Sequence, residues 1–299
     1  MATPELEQLL GAQSRDVALV IGNGINRYGA TVSNSWEQLL MTIARRRGMV
    51  LPKVPPGTQF TEFYDVLGLR SAGASSDLAA DFCKLMAGWQ MLDHHRAVTG
   101  WAVRHNVPIL TTNFEDVLSE AAGARFLGTG LSGFTDYYPW KCRFAHDLLD
   151  DPCAGFGIWH INGMARYKRS IRLGLADYVG SAHRAREMFH RGGSQLFRAK
   201  DPARWEGAGT WLHLIFNKPL LFLGLALEEN EVFLRWLLIE RARYFRKFPE
   251  RRQPAWFVYT HDPNDRHEAG KHFFLEGVGL TCVRAAGHDE IWDNPGWSS

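Results

Sequence analysis

Six short apolar runs rich in β-prone residues punctuate the 299-residue chain, at 17–21, 107–110, 156–160, 219–223, 255–259 and 280–283. Most are apolar throughout rather than alternating, the pattern of strands covered on both faces. The stretches between them follow helical periodicity. Ser35 and Gln38 form a capping-box pattern leading into Leu39, Leu40 and Ile43, and Arg45 to Arg47 close that helix before Gly48. Residues 229–245 repeat the scheme, with Val232, Phe233, Trp236, Leu237 and Ile239 as apolar positions and Arg241, Arg243 and Arg246 near the end. Strand and helix in alternation predict right-handed crossovers and an α/β fold with a doubly wound parallel sheet of about six strands.

Two connections are too long for simple crossovers. Residues 30–106 read as mostly helical, with loop-like breaks at 52–57 and 71–76; residues 167–218 carry helical pieces at 184–189 and 211–216. Both are expected to be helical insertions forming a smaller subdomain inside one domain over 1–299. The opening segment reads as a short helix, with Thr3 as cap, Pro4 at the first position and Glu5 in the first turn.

Composition narrows the classes. With 45% hydrophobic residues the chain buries a full core, and a formal charge of +2 is too mild to point to direct nucleic-acid binding. The cysteines, Cys83, Cys142, Cys153 and Cys282, lie far apart, so neither a zinc ribbon nor a secreted disulfide framework is expected, and no metal. The start lacks a basic segment followed by an apolar one. No apolar run approaches the roughly 20 residues needed to span a bilayer, so a cytoplasmic protein without membrane contact is expected.

The chemistry gathers where the strands end. In open α/β sheets ligands bind outside the carboxyl ends of the strands. Gly22-Asn23-Gly24-Ile25-Asn26 follows the first run, Thr111-Thr112-Asn113-Phe114-Glu115-Asp116 the second, and His160-Ile161-Asn162-Gly163 closes the third. Gly224-Leu225-Ala226-Leu227-Glu228-Glu229-Asn230 follows the fourth, and Gly287-His288-Asp289-Glu290 the sixth. Gly22-Asn23-Gly24 suits close approach by a phosphate with free N–H groups at a helix start; it also suits a plain strand-to-helix turn. It is an imperfect dinucleotide fingerprint, because Arg27 stands where the last glycine belongs. Asn113 reads equally as a group that holds ribose hydroxyls or a water and as the N-cap of a helix over 114–122. A lone histidine is more often structural, and the strand-end position of His160 improves its reading as a general base. His94, His95, His105 and His146 are expected at the surface or in packing, and the basic run 241–252 as a solvated helix end.

Together these segments resemble the sirtuin-like NAD-consuming domains of bacterial anti-phage defence systems. The matching stretches are VIGNGINR (20–27), ILTTNFEDVL (109–118), IWHINGMARYKRSIRLGLADY (158–178), LFLGLALEENEV (221–232) and GHDEIW (287–292), in the family's order over nearly the whole chain. The resemblance implies a Rossmann-like sheet with a helical subdomain, NAD as a substrate cleaved at the nicotinamide–ribose bond, and NAD depletion during infection. It also implies a homo-oligomer or a partner defence protein, such as a translocase ATPase or an Argonaute-like protein. Residue by residue, it assigns Gly22, Asn23, Gly24 and Asn26 to the pyrophosphate and ribose, and Asn113 to the nicotinamide ribose. Thr112, Asp116 and Gly163 join the binding set, Gly224 and Leu225 fall on the adenosine side, and His288 and Asp289 close the site.

The chain departs from the family twice. Glu115 stands where the family has Asp, with Asp116 as the candidate substitute. Asn162 stands where the family's catalytic His precedes Gly. His160 from one alternation upstream, a disabled site, or a natural NAD binder with little turnover are the open readings. NAD-dependent protein deacylation is a weaker alternative, because the zinc-ribbon cysteines of that branch are missing.

Overall fold

The computed structural model describes residues 5–12, 16–31, 34–70, 77–128, 138–229, 231–263 and 265–299. The proposed cap at Thr3 and Pro4, the 71–76 break and Asn230 lie outside them. Among the described residues eight strands form one sheet: β1 (Ala18–Ile21), β2 (Ile109–Thr111), β3 (Arg125–Leu127), β4 (Arg143–Ala145), β5 (Ile158–His160), β6 (Leu220–Leu223), β7 (Ala255–Thr260) and β8 (Thr281–Ala285). Their order is β3-β4-β5-β2-β1-β6-β7-β8.

The six expected runs are the six parallel strands, β5-β2-β1-β6-β7-β8. The expected count of about six is corrected to eight by β3 and β4, an antiparallel extension beside β5. These strands, Arg125-Phe126-Leu127 and Arg143-Phe144-Ala145, are too short to show a period of two, and each opens on an arginine rather than forming a continuous apolar run. The parallel core is buried on both faces. Ala18, Val20, Leu110, Trp159 and Phe222 pack into one apolar cluster, while Leu19, Ile21, Ile109, Ile158, Leu221 and Leu223 pack into another. Neighbouring residues on a strand point to opposite faces, so continuous apolar runs serve both clusters at once.

The long connections are helical, as the periodicity predicts. Residues 30–106 contain helices Trp36–Arg46, Phe60–Leu69, Leu78–Met86 and Asp93–Arg104. The Ser35 hydroxyl caps the first of these by accepting from the Gln38 N–H at 3.2 Å. Residues 167–218 contain helices Leu175–His190 and Leu212–Asn217. Leu39, Leu40, Phe63, Leu67, Phe82, Phe114 and Ile171 form a third apolar cluster of mostly helical residues. This small core stands over the carboxyl edge of β2 and β5 and walls the site described below.

One stability prediction arises here. Gly180 lies exposed within helix Leu175–His190, and a Cβ there would meet nothing within 4 Å. Gly180→Ala is therefore expected to stabilise the protein by roughly 0.5–1 kcal/mol, because alanine restricts the unfolded chain and suits a helix. Urea denaturation checks it; an unchanged or lower midpoint refutes it.

Candidate functional site

All six parallel strands deliver their carboxyl ends to one edge. The sheet order reverses at β1, which has β2 on one side and β6 on the other. The turns after β1 and β6 touch there. A Cβ on Gly22 would lie 2.6 Å from the Gly224 carbonyl oxygen, and one on Gly24 2.6 Å from the Gly224 Cα. Gly224 itself has φ of +64°, a backbone region that glycine enters without penalty. These glycines therefore let two turns pack backbone to backbone.

The same packing corrects the expectation of free phosphate-binding N–H groups. The Gly22 N–H donates to the Leu223 carbonyl at 2.9 Å, and the Gly24 N–H donates to the Gly224 carbonyl at 2.8 Å. Neither is available to an anion.

Two joined cavities open along this edge. An outer cleft of about 490 Å³ runs over the ends of β1, β6 and β7, lined among others by Asn23, Gly24, Gly224, Leu225, Tyr259 and His288. An inner recess of about 60 Å³ reaches into the helical cluster between Leu40, Tyr64, Phe82, Phe114 and Tyr178, with Asn162 in its wall. Trp36, Phe60, Thr112 and Glu231 line both, so they mark the junction. Arg27, Lys271 and His288 bring cationic or ionisable nitrogen to the outer cleft.

Of the residues singled out in the sequence, Asn23, Gly24, Thr112, Asn162, Gly224, Leu225 and His288 thus meet at the cavities. The others stand behind them or elsewhere. Asn26 lies buried behind Asn23 at the centre of a polar network. Its Nδ2 donates to Asn23 Oδ1 at 3.1 Å and to Glu115 Oε1 at 2.9 Å, and its carbonyl accepts from Asn34 Nδ2 at 3.0 Å. His95 Nε2 meets Asn26 Oδ1 at 3.1 Å, and His94 Nε2 holds the Ile25 carbonyl at 2.7 Å. Both histidines are packing residues, as expected, yet they anchor the turn that floors the cleft. Burial and the neighbouring His94 push the His95 imidazole down to about 3, so it stays neutral. Burial pushes the Glu115 carboxyl up to about 7 against the opposing Asn26 hydrogen bond.

Glu115, rather than Asp116, is therefore the acid tied to the Asn26 turn. Asp116 pairs with Arg166 at 3.3 Å and lines neither cavity. Asn113 is 0% exposed: its N–H donates to Thr111 Oγ1 at 3.1 Å and its Nδ2 to the Gly22 carbonyl at 3.4 Å. The N-cap alternative for Asn113 does not hold, because the following helix begins only at Val117. His160 is also 0% exposed. Its Nδ1–H donates to the Asn113 carbonyl at 2.7 Å, which leaves Nε2 unprotonated, and burial lowers its basicity further. It packs against Phe144 on the face opposite Trp159 and lines neither cavity. Residues 160 and 162 would share a face only if the strand continued, and β5 ends at His160, with Gly163 turning the backbone at φ of +99°. Gly163 is confined there, since a Cβ would lie 2.3 Å from the Ser170 carbonyl oxygen. Asp289, unlike its neighbour His288, lines a separate depression with Glu5, Glu7 and Glu290.

Glu231, not singled out as a site residue in the sequence, lines both cavities. It precedes helix Val232–Lys247, and desolvation, with Glu228 adding repulsion, pushes its carboxyl up to about 7. The signal available was the acidic cluster after β6, of which it is the last member.

One side-chain cluster elsewhere has ligand-like composition. Asp151, Cys153 and His213 bring one donor atom each within 4.8 Å of one another. His213 Nδ1 accepts the Trp205 Nε1–H at 3.0 Å, so the imidazole proton sits on Nε2, the nitrogen facing Asp151 at 3.7 Å. A metal-ligating histidine donates through its other nitrogen, and this one accepts there. Burial, with Asp151 adding to it, also pushes the Cys153 thiol up to about 12. Trp205 and Asn217 both hold His213 at Nδ1.

Among the described residues no helix is long and apolar enough to cross a membrane. No family model matches the chain, and no curated protein matches it.

Proposed function

We propose that this protein binds NAD across the carboxyl edge of its sheet and cleaves the nicotinamide–ribose bond, yielding nicotinamide and ADP-ribose. The observation that carries the reading is the two-part cavity at the point where the strand order reverses. A dinucleotide has two parts, and the outer cleft of about 490 Å³ falls within the roughly 300–1,000 Å³ of small-molecule sites. The parallel strands run in the 3-2-1-4-5-6 order of doubly wound dinucleotide-binding sheets, which supports a Rossmann-like description. The resemblance of the five strand-end segments to sirtuin-like NAD-consuming domains supports cleavage rather than hydride transfer.

In this reading the adenosine side rests on Gly224, Leu225 and the ends of β6 and β7. Arg27, Lys271 and His288 face the pyrophosphate and take the part that the occupied glycine N–H groups cannot. The nicotinamide enters the aromatic recess, where Thr112 and Asn162 offer hydrogen bonds. Asn113 and His160 are positioning residues: one ties the β1 turn to β2, the other ties β5 to Asn113. As the bond breaks, positive charge develops on the ribose carbon, water attacks it, and a nearby base takes the water's proton. The defence setting, the homo-oligomer and an ATPase or Argonaute-like partner rest on the resemblance alone.

A purified chain should bind NAD by calorimetry and release nicotinamide without any acylated peptide. The Asn162→His variant tests a second reading, an NAD-sensing subunit, which the uncharged Asn162 favours. Nicotinamide release only in the histidine form identifies a binding-only chain; absence of NAD binding in both overturns the proposal.

A further inference from the structure

We infer that Glu231 is the general base of the proposed cleavage, taking the role left open by Asn162. The inference rests on NAD being the ligand and goes beyond it by assigning the proton acceptor.

Glu231 lines both the outer cleft and the inner recess. A dinucleotide with its nicotinamide ring in the recess and its ribose in the cleft places the bond between them at this junction. A half-buried carboxylate there stands beside the carbon that water must attack.

Within the recess no other side chain fits the role. Among the described residues its lining holds three ionisable side chains, Tyr64, Tyr178 and Glu231. Burial raises both phenols, with nearby carboxylates adding to the effect, so they stay protonated at neutral pH. Asn162 has no proton to exchange near neutrality. His160 turns its Nδ1–H to Asn113 and lines neither cavity. Asn113 and Glu115 are likewise absent from both linings.

Among the described residues, the Glu231 side chain has no ion pair, and the helix it precedes receives no hydrogen bond from it. Glu231 stands at the N-cap position without making a cap hydrogen bond. Desolvation together with Glu228 brings the group to about 7, where a base is half ionised at neutral pH and retains a strong pull on a proton. Glu37, Arg27, Lys271 and His288 are the other ionisable groups lining the outer cleft.

The step balances without any co-reactant beyond water. The water oxygen forms a bond to the ribose carbon as the carbon–nitrogen bond to nicotinamide breaks, and that electron pair leaves on the nicotinamide nitrogen. The water proton passes to a Glu231 carboxylate oxygen and then to solvent.

The test compares wild type, Glu231→Gln and Glu231→Asp for NAD binding by calorimetry and for nicotinamide release from pH 5 to 9. Wild-type release should rise with pH through about 7 and level off above it. Glu231→Gln should bind NAD within about threefold of wild type, lose about 100-fold or more in release, and lose the rise near neutrality. Glu231→Asp should keep the pH-dependent rise at a reduced rate. A Gln variant releasing nicotinamide at the wild-type rate with the same pH profile overturns the role of Glu231 and leaves NAD cleavage standing. A wild type that binds NAD and releases nothing across the range overturns both.

Discussion

Gly24→Ala should cost about 3 kcal/mol or more and abolish measurable NAD binding. The new Cβ would stand 2.6 Å from the Gly224 Cα, 2.9 Å from its carbonyl oxygen and 3.0 Å from its carbonyl carbon. Every one of those atoms is backbone, so no side chain can swing aside. The two turns must separate, which stretches the 2.8 Å bond from the Gly24 N–H to Gly224 and opens the cleft floor. Overpacking of this kind typically costs about 1–3 kcal/mol, and the upper end applies where the neighbour cannot yield. At about 2 °C per kcal/mol for a chain of this size, the melting temperature should drop by roughly 6 °C or more. Gly270→Ala is the control, since a Cβ there meets nothing within 4 Å and the residue lies in helix Glu268–Gly277. A Gly24→Ala protein as stable as that control would refute the close contact.

Glu115→Gln should produce a large pH-dependent change in stability. The Glu115 carboxyl is pushed from 4.5 in the unfolded chain to about 7 in the fold, chiefly by burial. Below pH 4.5 both states hold the proton, and the wild type bears no penalty. Between 4.5 and 7 the unfolded chain releases the proton while the folded one keeps it, so stability falls as pH rises. Above 7 the full cost is present, on the order of 3 kcal/mol by linkage. Glutamine keeps an acceptor for the Asn26 Nδ2 and does not ionise. The variant should therefore gain stability over wild type as pH climbs from 4.5 to 8, and match it or fall slightly below it in acid. His95 acts in the opposite sense. Its folded value is depressed from 6.5 to about 3, so the stability linked to it is lost as pH falls below 6.5. The useful measurement is for that reason the wild-type-minus-variant difference in urea midpoint, not either curve alone. A difference that stays flat from pH 4.5 to 8 would exclude a buried ionising Glu115.

The Asn26 network explains why both effects concern the site. Asn26 joins Asn23, Glu115, Asn34 and His95 within hydrogen-bond distance. A buried network is stabilising only while each member keeps its partner. Losing one would leave Glu115 or His95 unpaired in the interior and free the turn that carries Asn23 and Gly24 to the cleft.

The parallel strands and the cluster of polar residues at their ends were legible in local pattern. Continuous apolar runs follow from a sheet covered on both faces, and glycine-flanked turns mark the places where two such strands meet. The Ser35 cap was legible for the same reason, because a cap and its helix lie within a few residues of each other. The strands β3 and β4 were not, since Arg125-Phe126-Leu127 and Arg143-Phe144-Ala145 are too short for a readable period and form no continuous apolar run. Which polar residue faces the cavity was also out of reach. Asn113 and His160 sit at strand ends by sequence, yet the close packing of the β1, β2 and β5 ends buries both. Glu115 reaches Asn26 and Asp116 turns to Arg166, a division that adjacent positions in the chain could not reveal. Glu231 gains its place only because helices from a distant insertion close over it and form the recess. Burial and desolvation come from neighbours far away in sequence, so the chemistry of a carboxylate is set by packing rather than by its own local pattern.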